Sequence, residues 1–147
     1  MELQKDFKEL LELFNKHKVE YAIVGAYALA FHGYPRYTGD LDILVKPDQN
    51  NAKKILKALK DFGFESLKLN LKDLTSPGKV IQLGVPPIRI DILTSITGLT
   101  WKQISANRVT GKYGNTNAHF IGKEELIINK KSIGRHKDLA DLESISE

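Results

Sequence analysis

The 147-residue chain carries 22 Lys and Arg against 18 Asp and Glu, a formal net charge of +4 at pH 7, with 41% hydrophobic and 27% charged residues. This size suits one self-sufficient core, the composition argues against disorder, and the mild basicity admits a phosphate-bearing partner without requiring one. The absence of Cys excludes disulfides, thiolate metal sites and cysteine nucleophiles, so any chemistry must come from carboxylates, His, Lys or hydroxyls.

No apolar run reaches the roughly 18 to 20 residues that span a bilayer. The charged, amphipathic start lacks the core of a signal peptide. The expectation is a soluble cytoplasmic protein, a single domain over residues 1–147 with no membrane partner.

In chain order, Leu3, Phe7, Leu10, Leu11 and Phe14 form the apolar stripe of an amphipathic helix, predicted over residues 3–17. Residues 19–24 (VEYAIV) are β-rich and end at Gly25, after which AYALAFHG reads as a short helix closed by Gly33. Leu41–Val45 is predicted as a strand, with Leu41, Ile43 and Val45 on one face and Asp40, Asp42 and Leu44 on the other. Asp48 is a candidate N-cap for a helix whose stripe is Ala52, Ile55, Leu56, Leu59 and Phe62, with Lys53, Lys54, Lys57 and Lys60 outside it and Gly63 ending it.

Three strands are expected next: LKLNLKDL, KVIQLGV and, after a turn at Pro86 and Pro87, IRIDIL. Residues 101–107 are a predicted helix capped by Thr100, RVTGKYGN and AHFI two short strands, and residues 123–132 and 135–145 two further helices. The order of elements predicts an α+β fold with a mixed β-sheet flanked by helices.

Asp40-Leu41-Asp42 is the most informative feature. At strand spacing the two carboxylates share one face with Cα atoms roughly 6 to 7 Å apart. So close a pair must be solvated or share a cation, and hard ions such as Mg²⁺ take one or two carboxylates together with substrate phosphates. Asp91, in the alternating Ile88-Arg89-Ile90-Asp91-Ile92-Leu93, is the candidate third acid. Neighbouring strands would bring the three together in a site able to hold two cations for in-line phosphoryl displacement.

An isolated Asp-x-Asp is also what a solvated edge strand carries. The Gly25-Ala26 turn, between an apolar strand and a helix, adds backbone N–H groups suited to a phosphate. Arg36 has the fork that fits phosphate oxygens, and Thr38 stands two residues before Asp40, placed to orient the backbone there. His32, before Gly33 at a helix end, reads as a packing or capping residue.

The segments Val24-Gly25-Ala26-Tyr27-Ala28 and His32-Gly33-Tyr34-Pro35-Arg36-Tyr37-Thr38-Gly39-Asp40-Leu41-Asp42-Ile43-Leu44-Val45 together resemble the signature of the DNA polymerase β-like nucleotidyltransferase superfamily. The pattern, hGGxA followed by HGxxRxTxDhDhhh, is that of its small prokaryotic branch related to AbiEii toxins. Leu126-Ile127, Lys130, Gly134-Arg135, Lys137-Asp138-Leu139 and Asp141-Leu142 are similar to that branch's LI..K....R.KDh.Dh segment, so the resemblance spans most of the chain. Two departures are visible: Ala26 stands where relatives often carry Gly or Ser, and a longer gap separates Gly25 from Asp40.

The resemblance implies a polymerase β-like nucleotidyltransferase fold. It also implies that Asp40, Asp42 and Asp91 are catalytic and bind metal, two Mg²⁺ ions, with Asp91 as base toward an acceptor hydroxyl. Gly25, Ala26, Arg36, Thr38 and Lys130 would hold the donor nucleoside triphosphate, Lys130 approaching its phosphates, while Asp138 or Asp141 pairs with basic residues to fix the last helix. The implied reaction moves a nucleoside monophosphate to a hydroxyl of tRNA, another RNA or a protein, in a toxin–antitoxin or phage-defence setting. The alternative is a non-catalytic nucleotide-binding or antitoxin-like partner-binding subunit of the same fold.

Overall fold

The computed structural model of the chain describes residues 4–34, 39–64, 69–85 and 88–146. Arg36, Thr38 and the expected turn at Pro86 and Pro87 lie outside these residues. The first helix, α1 (Lys5–Lys16), buries Phe7, Leu10, Leu11 and Phe14 completely, the stripe that its sequence spacing predicts. Val19 is already tied back to this helix through its N–H to the Phe14 carbonyl, so strand β1 begins later than composition suggests, at Tyr21–Val24. All four β1 residues are buried. Helix α2 (Gly25–Phe31) follows without a linker, and β2 (Asp40–Val45) returns antiparallel to β1.

Helix α3 (Gln49–Phe62) starts where Asp48 accepts a hydrogen bond from the Asn51 N–H, and it ends at Gly63, whose φ of 102° only glycine adopts readily. Its buried Asn51 donates to the carbonyls of Glu20 and Lys46 and accepts from the Glu20 N–H, joining α3 to the ends of β1 and β2.

Among the described residues, the expected strand LKLNLKDL is not formed. Residues 65–68 lie outside the described segments, and Leu71–Thr75 is a helix, α4. Asn70 accepts from the Asp73 N–H while the Asp73 carboxylate accepts from the Asn70 N–H, a reciprocal cap that starts a helical turn. Alternating leucines suggested a strand, but this local bonding overrides that pattern.

Strands β3 (Val80–Val85) and β4 (Ile88–Leu93) pair antiparallel, as do β5 (Val109–Tyr113) and β6 (Thr116–Phe120). Between them lies α5 (Trp101–Asn107), capped reciprocally by Thr100 and Gln103. The chain closes with α6 (Lys123–Ile133) and α7 (His136–Ser146), joined by Gly134. The six strands form one mixed sheet in the order β3-β4-β2-β1-β6-β5, with β2 parallel to β4 and β1 parallel to β6.

The α+β class and the helix-flanked mixed sheet therefore agree with expectation. Helices α1 and α3 pack on each other, and α6 packs on α7. Among the described residues no helix is long and apolar enough to cross a membrane.

Candidate active site

The sheet order decides what the carboxylates can do. Strands β2 and β4 are neighbours, and their register sets Asp40 beside Arg89 and Asp42 beside Asp91. Side chains two apart on a strand share a face, so Asp40, Asp42, Arg89 and Asp91 form a block on one side of the sheet. On the other flank Asp42 is paired with Val24, the last residue before Gly25. The three acids singled out in the sequence are thus brought together by strands far apart in the chain.

Gly25 completes this floor. Its φ of +70° lies in the left-handed region, and a Cβ built on it would collide with Oδ2 of Asp42. Glycine is required both by the turn and by the closeness of the carboxylate. Ala26 behind it is buried and does not line the cleft.

The Asp42 pKa is pushed up to about 6, first by burial and then by the charges of Asp91 and Asp40, against the pull of Lys137 and Arg89. Like charges held in a desolvated place favour the proton on one of them. Arg89 is the nearest compensation. Its Nη2 donates to Oδ2 of Asp40 and to Oδ2 of Asp91, both at 3.1 Å, and its Nε lies 3.0 Å from Oδ1 of Asp91. This last contact is an ion pair without the alignment of a hydrogen bond, for both atoms are buried and unbonded.

The block opens into a cleft of about 350 Å³. Its opposite wall comes from the α6–α7 corner and includes Asn129, Lys130, Arg135, Lys137 and Asp138. Lys130 is only 4% exposed, and its Nζ lies 2.9 Å from Asp141 and 3.4 Å from Asp138. Asp138 also binds Arg135, whose Nε donates to it at 2.6 Å. These contacts fix α7 to α6, the role expected of the two acids.

Lys130 therefore lines the cleft with its ammonium already engaged, whereas Lys137 is exposed, and its charge lowers the pKa of Asp42. His32 sits at the end of α2 with Nε2 2.7 Å from the Ile121 carbonyl, a packing role. Arg36 and Thr38 lie outside the described residues.

The donors facing the cleft are carboxylate oxygens, the ligand type of hard divalent ions. Among the described residues, no three His, Asp or Glu side chains are arranged to close around one ion. Arg89 was not singled out by the sequence reading. The signal was present, since alternation in Arg89-Ile90-Asp91 puts its side chain on the same face as Asp91.

No protein-family model and no curated protein matches the sequence. Solved structures do. A Thermotoga maritima protein assigned as a nucleotidyltransferase aligns over 94% of this chain and 88% of its own, at TM-score 0.64 and 14% identity. The lincosamide antibiotic adenylyltransferase LnuA, crystallised with lincomycin, covers 100% of this chain and 99% of its own, at TM-score 0.58 and 15% identity. The chain has the nucleotidyltransferase fold. An antigenic nucleotidyltransferase-like protein from Paracoccidioides brasiliensis is similar over 97% of this chain and 77% of its own, at TM-score 0.56 and 19% identity. At these identities the likeness is one of fold.

Proposed function

We propose that the protein is a metal-dependent nucleotidyltransferase, moving a nucleoside monophosphate from a nucleoside triphosphate to a hydroxyl of RNA or protein with release of pyrophosphate. The observation that carries this reading is the β2–β4 register, which sets Asp42 beside Asp91 with Asp40 on the same face of a cleft that Lys130, Arg135 and Lys137 also line. The donor set fits a hard divalent ion: the oxygens of three carboxylates, one of them buried without an aligned hydrogen bond, with the Asp42 pKa raised first by burial and then by Asp91 and Asp40. Two Mg²⁺ ions held by Asp40, Asp42 and Asp91 would supply charge neutralisation for the transferring phosphoryl group.

The chain's own residues do the rest by positioning. Gly25, whose missing side chain lets the Asp42 carboxylate lie against the turn, offers its backbone to a phosphate, and Ala26 contributes only its backbone. Lys137 and Arg135 face the phosphate tail, while Lys130 supports them by holding α7. Arg36 and Thr38 join the nucleotide-binding set on their sequence positions. Asp91 accepts the proton of the acceptor hydroxyl as the new oxygen–phosphorus bond forms and the bond to pyrophosphate breaks. The motifs at both ends of the chain support a place in the AbiEii-related branch, and with it a toxin–antitoxin or phage-defence setting.

The test is incubation with each labelled nucleoside triphosphate, Mg²⁺ and either total RNA or lysate protein, beside Asp42→Asn. Label transfer by the wild type and a loss of about a hundredfold or more in the variant are expected. Transfer unchanged in Asp42→Asn would overturn the metal role. Neither transfer nor nucleotide binding would instead support the non-catalytic subunit.

A further inference from the structure

The guanidinium of Arg89 lies in the middle of the acid block. Through Nη2 and Nε it reaches both oxygens of Asp91, and through Nη2 it also reaches Asp40. These are carboxylate oxygens that a divalent ion shared by Asp40 and Asp91 would need. Arginine cannot vacate such a place by losing its proton. It can leave only by rotating, and with its side chain 26% exposed at the cleft it has an outlet to solvent.

From these contacts we infer that Arg89 is a resident cation that competes with the divalent ion for Asp40 and Asp91, so that metal loading requires the guanidinium to swing off the acids. The inference rests on the metal-dependent reading above. One positive charge already lies in the block, and a second one nearby is repelled.

Mn²⁺ titration followed by electron paramagnetic resonance, at fixed ionic strength and without nucleotide, reads this directly. Arg89→Gln should bind Mn²⁺ about tenfold or more tightly than the wild type, because a unit positive charge is removed from beside the ion. Arg89→Lys keeps the charge but loses the two-pronged grip, and should fall between them. Circular dichroism and thermal melts establish folding; should Arg89→Gln not fold, Arg89→Lys decides. Mn²⁺ affinity equal to or weaker than wild type in the deciding variant would overturn the role of Arg89 while leaving the metal reading intact. No Mn²⁺ binding by wild type or variants would overturn the metal reading itself.

Discussion

Two charged clusters face each other across the cleft, and they differ in balance. At the α6–α7 corner, Asp138 and Asp141 meet Lys130 and Arg135, and Asp138 is wholly buried in that network. On the sheet, Arg89 pairs with Asp40 and Asp91, and Asp42 stands beside Asp91. The first cluster has a cation for each acid and needs nothing further. In the second, burial first and then the charges of Asp91 and Asp40 raise the pKa of Asp42. Buried acids as such do not mark a site; an acid beside a cleft whose pKa is raised by burial and by neighbouring acids does.

The largest break in this comparison is expected from Lys130→Met. It removes the buried ammonium that Asp138 and Asp141 share and should cost about 3–5 kcal/mol of stability, read by denaturant melts. Metal affinity of the folded fraction should not change.

Gly25→Ala comes next. The left-handed backbone alone costs about 1–2 kcal/mol, and the methyl group collides with the Asp42 carboxylate. Both stability and Mn²⁺ affinity should fall, whereas Lys130→Met lowers only the first.

Asp42→Asn should act in the opposite sense on stability. Asp42 holds its proton to about pH 6 in the native state, against 3.8 ordinarily. Between these values the native protein binds more protons than the unfolded chain, so metal-free stability falls as pH rises through the window, by on the order of 3 kcal/mol. The variant should flatten that dependence and be more stable at pH 7, while losing divalent-ion binding. A pH series of melts, with and without Mn²⁺, checks the sign.

Lys137→Gln is the smallest in stability, within about 0.5 kcal/mol. Its effect should lie in nucleotide binding, several-fold weaker for a triphosphate and little changed for a monophosphate, measured by calorimetry. Equal loss for both would remove Lys137 from the phosphate end.

Most elements were legible in the sequence because their causes are local. The spacing of Phe7, Leu10, Leu11 and Phe14 specifies a helix face, Asp48 and Gly63 punctuate α3, and alternation shows through in β2 and β4. The strand expected around Leu69 and Leu71 failed for a local reason too, the exchange of hydrogen bonds between Asn70 and Asp73. The Asp-x-Asp motif pointed to two acids of the candidate site and strand alternation to the third. What no single segment contains is the pairing of β2 with β4.

The sequence by itself determined the helices, the strand faces and the carboxylates available for chemistry, because spacing along one element decides which side chains share a face. Only the tertiary structure decided that Asp91 stands beside Asp42, that Arg89 grips Asp40 and Asp91, and that Lys130 is enclosed by acids while Lys137 is left exposed. Those facts depend on strand order and on how α7 packs against α6. Contacts between residues dozens of positions apart are set by the shared core, and no local pattern encodes which charge will find a partner.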